Sequence, residues 1–309
     1  MATSTTGLIP NWFPPNRENY EFILSIWKWM PVFASLQWVT AWYGMGKTSV
    51  ESRLNLPGRA GWLTMEVPGF LTLLYTMRAL SSQMETEEGL PYQNKVLAFL
   101  FVLHYAYRAL AFPLLQPSMS PIHPAVWLSA VAFQVTNGLA LGAWLGAYGP
   151  TTAAAWAAAA VGPLRFAAGL AVFYLGLAAN YYHDDELREI RRRAARRARE
   201  AARKDGDGNG DGRGGKKKAA AAAAVVDKHY EIPQAGLFRV MLYPHYFCEW
   251  VEWFGFWMAA GWGCVPARCF LFNEIAAMLP RAVRGRRWYA EKFGEDKVRG
   301  RWAVIPGVC

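Results

Sequence analysis

The chain has 309 residues, enough for one large domain or two ordinary ones. Hydrophobic residues make up 53% of it and charged residues only 18%, against about 25% in a typical soluble domain, and the formal net charge is +10. This composition excludes a disordered chain, a collagen and a coiled coil, and four cysteines are too few for a disulfide scaffold. The 15 tryptophans favour contact with a membrane interface.

Apolar windows recur along the chain, and a bilayer-spanning helix needs roughly 20 apolar residues. No Asp, Glu, Lys or Arg occurs between Arg108 and Arg165, so this stretch is predicted to hold two spans, and the run over 166–183 predicts another. The remaining windows lie at 21–43, 59–81, 94–116, 234–262 and 266–283. The last is short and proline-bounded, as a re-entrant segment would be. An all-α polytopic membrane protein with about seven transmembrane helices is therefore predicted.

Basic residues indicate how the chain is oriented, because positively charged loops stay on the cytosolic side. Segment 181–233 holds 14 Lys or Arg and the tail from Arg281 holds eight, whereas the loop at 82–93 is acidic. The basic segment and the C-terminus are therefore predicted to be cytosolic, in contact with membrane lipids, and the N-terminus lumenal. The arginine run lacks interleaved aromatic residues, so no nucleic-acid partner is predicted.

Segment 192–228 has low complexity: an arginine run, DGDGNGDGRGG, three lysines and an alanine run. Between 194 and 224 it has no aromatic or large aliphatic residue with which to bury a core, so it is predicted to be a flexible, basic cytosolic insert. The DGDGNGDG stretch lacks the glutamate that closes an EF-hand calcium loop at its twelfth position, and no metal site is predicted.

Ionisable side chains inside apolar windows are costly and usually functional. Glu66 lies within 59–81, where a carboxyl group facing a dry cavity would be protonated and could donate a hydrogen bond; the alternative is an interfacial carboxylate paired with Arg59. Tyr105 lies in the next window, three residues before Arg108 and on the same helical face. A tyrosine hydroxyl beside a carboxylic acid would provide two donors for a substrate carbonyl. Alone, a tyrosine in a membrane helix is more often a packed or interfacial aromatic residue than a functional one.

Two further polar patterns follow. Asn180, Asp184 and Arg188 are spaced four apart, so they share one helical face that could hold a ribose or a phosphate. The alternative is a solvated helix with an internal ion pair. Glu249 and Glu252 share a face of an aromatic, apolar helix, where a bound polar cofactor could supply the donors that they need.

Ordered segments of the chain resemble the steroid 5α-reductase family over about residues 40–305, most densely at the C-terminal end. GRAGWLTMEVPGF resembles its W-x-x-x-E-x-P block, HYAYR its H-Y-x-x-R block and NYYHDDELREIR its N-x-x-x-D-x-x-L-R-x-L-R block. YEIPQAGLF and PHYFCEWVEW resemble Y-x-I-P-x-G-G-L-F and N-Y-x-x-E-x-x-E-W. RWYAEKF and AVIP resemble W-Y-x-x-K-F and A-L-I-P, and the TNG around Asn137 resembles an NG of the fourth span.

The resemblance implies one membrane-embedded reductase domain over 1–309, located in the endoplasmic reticulum membrane. Its seven helices would enclose a cavity in which NADPH transfers hydride to the conjugated C=C of a 3-oxo-Δ4-steroid or sterol-like enone, a lipophilic substrate. Glu66 and Tyr105 would hold the substrate carbonyl. The residues implied to line the NADPH pocket are Asn137, Asn180, Asp184, Arg188, Tyr230, His245, Glu249, Arg281 and Tyr289.

Three positions depart from the family pattern: Met65 replaces a glutamine of the animal enzymes, His245 an asparagine and Gly285 a histidine. Two alternative functions stay open. One is a trans-2-enoyl-CoA or polyprenol reductase of the same superfamily, and the other is a non-catalytic membrane member. Nothing in the sequence indicates the oligomeric state.

Overall fold

The computed structural model describes residues 5–40, 52–83, 89–204 and 230–309. Within these ranges the regular structure is helical, and β-structure is limited to isolated bridges such as the one between Met241 and Trp302. The all-α prediction is therefore confirmed for the described part. Residues 205–228 of the predicted insert and the acidic residues of the 82–93 loop lie outside it.

Ten α-helices follow one another in the described ranges: α1 (Arg17–Ser35), α2 (Gly58–Ser81), α3 (Tyr92–Tyr105), α4 (Phe112–Leu115), α5 (Pro124–Ala143), α6 (Ala153–Ala158), α7 (Pro163–Lys204), α8 (Pro244–Ala260), α9 (Val265–Phe293) and α10 (Glu295–Val298). π-helical turns join α3 to α4 (Ala106–Ala111) and extend α5 (Trp144–Tyr148). Short 3-10 turns lie at Leu36–Trp38 and Gly236–Arg239.

Within the described ranges, three helical segments are long and apolar enough to cross a membrane: Tyr92–Leu115, Pro124–Tyr148 and Pro163–Ala198. The prediction of two spans between Arg108 and Arg165 is wrong. Pro124–Tyr148 is long enough to be the first span, but the helix that follows it, α6, has only six residues. Gly149 and Pro150 end the preceding helix and Pro163 begins the next, so too few residues remain between them for a span.

Two other segments are more helical than predicted. The window at 266–283 belongs to the continuous 29-residue helix α9, so it is not a short re-entrant segment. Helix α7 has 42 residues and continues to Lys204, so the arginine-rich start of the predicted insert is helical and not a flexible loop. Alanine and arginine have high helix propensity, and they allow the helix to continue beyond its apolar part.

Glycines bring α2 and α5 into backbone contact. A Cβ atom placed on Gly142 would lie 2.7 Å from the carbonyl oxygen of Leu73, and one on Gly138 would lie 2.6 Å from that of Gly69. Such separations are possible only without a side chain, so these glycines, spaced four residues apart on α5, serve close helix packing. The contact sets Glu66 of α2 against α5.

Helices α7 and α8 are held together in the same way. A Cβ atom on Gly176 would lie 2.3 Å from the backbone nitrogen of Glu252, and one on Gly255 would lie 2.4 Å from that of Phe173. The close approach places the polar face of α7 against the carboxylates of α8. These two glycine-mediated helix pairs carry most of the polar residues described below.

We expect Gly142→Ala to destabilise the protein, because its new methyl group would meet the backbone of α2. Overpacking of this kind costs about 1–3 kcal/mol, whereas alanine is otherwise favoured over glycine within a helix. Thermal unfolding of the detergent-solubilised protein measures the effect. Gly162→Ala is the matched control, since no atom lies within 4 Å of a Cβ at that position. Equal melting temperatures for the two variants would contradict the tight α2–α5 contact.

Candidate active site

Glu66 lies in the interior with its carboxyl group against an amide of α5. Its side chain is largely buried, with 9% of the residue exposed, and Gln134 donates a hydrogen bond from Nε2 to Glu66 Oε2 at 2.5 Å. Tyr105 is 2% exposed on α3 and interacts electrostatically with both Glu66 and Gln134. The structure therefore brings together the two residues predicted as carbonyl donors.

The alternative prediction, that Glu66 is an interfacial carboxylate paired with Arg59, is wrong. Arg59 instead donates hydrogen bonds to the backbone carbonyls of Pro113 (2.9 Å) and Gln116 (2.8 Å). These bonds tie the start of α2 to the end of α4. Glu66 is consequently available for interactions inside the bundle.

His104 pairs with the two glutamates of α8. Its Nδ1 lies 2.8 Å from Glu252 Oε1 and its Nε2 lies 3.8 Å from Glu249 Oε1. The imidazole packs at 4.7 Å from the ring of Trp253, and all of these side chains are buried. The imidazole of His104, on α3, is thus one of the partners that the two buried glutamates of α8 need.

Asn180 of α7 joins the same group. Its Nδ2 donates to Glu249 Oε2 at 3.2 Å and to the backbone carbonyl of His245 at 3.1 Å. The short separation between α7 and α8 makes these bonds possible. Three of the residues predicted to hold a cofactor therefore lie side by side.

Asp184 and Arg188 meet through a tyrosine of the π-helical turn. The Tyr107 hydroxyl donates to Asp184 Oδ2 at 3.1 Å, and Arg188 Nη2 donates to the Tyr107 hydroxyl oxygen at 3.1 Å. Asp184 is 6% exposed and Arg188 is fully buried, so the alternative of a solvated helical face is wrong. Arg188 also forms an ion pair with Asp185, at 3.3 Å from its Nε to Oδ1.

Arg108 links these groups. It interacts electrostatically with Glu249, Asp184 and Glu66, and its guanidinium lies 4.8 Å from the centre of the Trp62 ring. An aromatic face is a favourable surface for a guanidinium in an apolar setting. The Arg108 guanidinium thus interacts electrostatically with carboxyl groups from three helices.

Asn137 is buried on α5, and three other predicted cofactor residues lie on the C-terminal half of α9 or against it. Tyr289 is buried, and its ring lies 6.5 Å from that of Tyr243, which in turn lies 5.6 Å from His245. The Arg281 guanidinium lies 5.7 Å from the ring of Tyr246. Tyr230 packs at 4.9 Å from Trp288. A continuous run of aromatic rings therefore connects Tyr289 to the Asn180 group.

Tyr243 occupies the space beside Gly285. A Cβ atom on Gly285 would lie 1.7 Å from the Tyr243 hydroxyl oxygen. A side chain at 285 and this position of Tyr243 therefore exclude each other. The glycine that departs from the family pattern is required by a tyrosine that the sequence analysis did not identify.

Several buried polar atoms have no hydrogen-bond partner among the described residues. They include both amide atoms of Asn137, both amide atoms of Asn273, Arg188 Nη1, Gln134 Oε1 and Glu252 Oε2. An unsatisfied buried polar group costs about 1–3 kcal/mol. A polar ligand that bonded several of them would recover that cost, so this interior is suited to hold one.

Sequence reasoning missed several residues of the site. Gln134 had a recognisable signal, because it is a polar side chain within the charge-free stretch. His104 and Tyr107 flank Tyr105 in the HYAYR segment and could have been found from the same motif. Tyr243 carried no such signal, because its role follows from the glycine that it covers.

Comparison with known proteins gives the class of the chain. Residues 222–309 match the family model described as 3-oxo-5-alpha-steroid 4-dehydrogenase. An uncharacterised protein of Schizosaccharomyces pombe is 35% identical over 84% of this chain and 89% of its own length. The 3-oxo-5-alpha-steroid 4-dehydrogenase 2 of Mus musculus is 30% identical, covering 85% and 86%. The steroid 5-alpha-reductase DET2 of Solanum lycopersicum is 27% identical, covering 89% and 91%.

The chain belongs to the steroid 5α-reductase family, and the resemblance predicted from its motifs is confirmed. The three apolar helices of spanning length in the described part of the chain, together with its membership of this family, identify an integral membrane protein.

We expect His104→Leu to destabilise the protein strongly, because Glu252 would lose its partner while staying buried. Breaking a buried charged pair costs about 3 kcal/mol or more. His104→Asn is the matched control, since its amide can still donate from nearly the position of Nδ1, and it should cost less. Thermal unfolding in detergent compares the two variants. A His104→Leu protein as stable as the wild type would show that Glu252 does not depend on this histidine.

Proposed function

We propose that the protein is an NADPH-dependent membrane reductase of a 3-oxo-Δ4-steroid or a sterol-like enone. The observation that carries the proposal is the convergence of Glu66 and Tyr105 in a buried interior. Their hydroxyl donors suit a carbonyl oxygen, and the family of the chain supports an enone as the substrate class. A planar, apolar substrate of this kind would reach the site from the bilayer.

The cofactor would be held by the polar groups around α7, α8 and α9. Arg188 and Arg281 provide positive charge for phosphate groups, and Asn137 provides amide atoms that lack partners among the described residues. The full set proposed to contact it is Asn137, Asn180, Asp184, Arg188, Tyr230, His245, Glu249, Arg281 and Tyr289. The orphaned atoms of Asn137 and Arg188 are the structural support for a polar ligand here. When bound, NADPH supplies hydride to the carbon β to the substrate carbonyl.

Glu66 and Tyr105 stabilise the charge that develops on the substrate oxygen. When hydride adds to the β carbon, the carbonyl oxygen becomes an enolate oxygen. Its negative charge is therefore larger in the transition state than in the bound substrate. Fixed donors in a water-excluded interior stabilise such charge better than mobile water does. The protein contributes this stabilisation without reorganising, because both side chains are already packed in place.

We further propose a seven-helix bundle in the endoplasmic reticulum membrane that encloses the substrate and cofactor cavity. The described part contains seven continuous helical segments of 17 residues or more, which supports this number. The excess of basic residues in 181–233 and in the tail favours a cytosolic C-terminus and a cytosolic insert. NADPH would then bind from the cytosolic side.

Purified protein in lipid nanodiscs should oxidise NADPH in the presence of a Δ4-3-ketosteroid. Enoyl-CoA and polyprenal substrates tested in parallel separate the steroid reaction from the two related reductase reactions. NADPH should be preferred to NADH, because the arginines can bind the 2′-phosphate. Equal rates with both cofactors would contradict the proposed phosphate contact, and no turnover with any substrate would favour a non-catalytic member.

Glu66→Gln and Tyr105→Phe should each lower kcat by about 100-fold or more, as loss of one oxyanion donor typically does. NADPH affinity should be retained in both variants, since neither side chain is assigned to the cofactor. Tyr92→Phe, which removes an exposed hydroxyl at the start of α3, is the control and should behave as wild type. Near-normal turnover of both site variants would refute their assignment as carbonyl donors.

A further inference from the structure

Gln134 is the nearest polar partner of the proposed donor Glu66. It lies on α5 within the charge-free stretch, is 6% exposed, and donates from Nε2 to Glu66 Oε2. The other end of the amide lies over α2, where a Cβ atom on Gly69 would be 2.4 Å from Gln134 Oε1. The amide is therefore held between the Glu66 carboxyl group and the backbone at Gly69.

The direction of this hydrogen bond favours one oxygen of Glu66 over the other as the site of a proton. An amide N–H donates and cannot accept, so the oxygen that faces it must act as the acceptor. In a protonated carboxyl group the carbonyl oxygen is a stronger acceptor than the hydroxyl oxygen. Because Gln134 donates to Oε2, this contact favours Oε2 as the carbonyl oxygen, and the proton would then lie on Oε1, where it could be donated to another group.

Tyr105 also interacts with the side-chain amide of Gln134. It interacts with Gln134 as well as with Glu66, so the two proposed donors share one neighbour. An amide held by close helix packing can align both hydroxyl groups without itself touching the substrate. Pre-alignment matters because a displacement of about 1 Å can cost a factor of about 100 in rate.

We propose that Gln134 is a positioning residue that orients the Glu66 carboxyl group with its O–H on Oε1, directed to the substrate carbonyl. The inference rests on the proposed reductase function. Gln134 acts through Glu66 and leaves the binding of cofactor and substrate unchanged. The glycine contact between α2 and α5 holds the amide at the required distance.

Gln134→Met tests this assignment, because methionine has nearly the same length and no amide. We expect kcat to fall on the order of 10- to 100-fold, with the KM for the enone and the Kd for NADPH changed by less than about 2-fold. Thr136→Val is the matched control on the same helix, since Thr136 is half-buried and its hydroxyl donates to the Ala132 carbonyl of its own helix. A Gln134→Met enzyme with wild-type kcat would overturn the proposal.

Infrared spectroscopy provides a readout that does not depend on turnover. The carboxyl C=O stretch of Glu66 is the band that disappears in Glu66→Gln, and loss of the amide donor in Gln134→Met should move it to higher wavenumber. An unshifted band would overturn the inference even in an active enzyme. If the wild type reduces no enone, the proposed function fails, while the band shift still tests the Gln134–Glu66 bond.

Gly69→Ala provides a second route if Gln134→Met does not fold. The new methyl group would press on the amide from the side of α2 and displace it, while every polar group of the site remains. The same band shift and the same selective loss of kcat are expected. A folded Gly69→Ala protein with an unchanged band and unchanged kcat would overturn the proposal.

Discussion

Burial of carboxyl groups in an apolar helix bundle is the constraint on which the rest of this structure depends. Glu66, Asp184, Glu249 and Glu252 are each less than 10% exposed. An isolated ionised carboxylate is very costly in such surroundings, so each group must be neutral or have a partner. Arg108 interacts electrostatically with Glu66, Asp184 and Glu249. Arg188 is linked to Asp184 through the Tyr107 hydroxyl, and His104 lies 2.8 Å from Glu252. The helices must therefore pack so that these partners reach the carboxyl groups.

Glycine is what allows that packing. The α2–α5 and α7–α8 pairs approach until backbone atoms touch, and only residues without a Cβ atom permit such distances. Close approach brings short polar side chains such as Asn180 within hydrogen-bond reach of the next helix. The packing of small residues and the polar site are therefore one structural feature and not two.

The site still contains more polar atoms than its own side chains can satisfy. Asn137 and Asn273 each place a complete amide in the interior without a partner in the described part of the chain. Proteins accept such a cost mainly where function requires it. The proposed dinucleotide is rich in hydroxyl and phosphate oxygens. Hydrogen bonds from these groups to the unpartnered amide atoms would contribute to its binding. An apolar enone would satisfy few of these atoms, so the proposed dinucleotide would occupy the polar part of the interior and the proposed enone the apolar part.

The sequence by itself determined the helical, membrane-embedded class and pointed to Glu66, Tyr105 and the polar face of α7, because an ionisable residue in an apolar run is visible along the chain. It overestimated the spans near α6, where turn residues leave too little length. Only the tertiary structure decided which partner each group takes. Gln134 is 68 residues from Glu66, and Glu252 is 148 residues from His104. Such pairings depend on how closely two helices approach, and that distance is set by side-chain volumes on both helices at once.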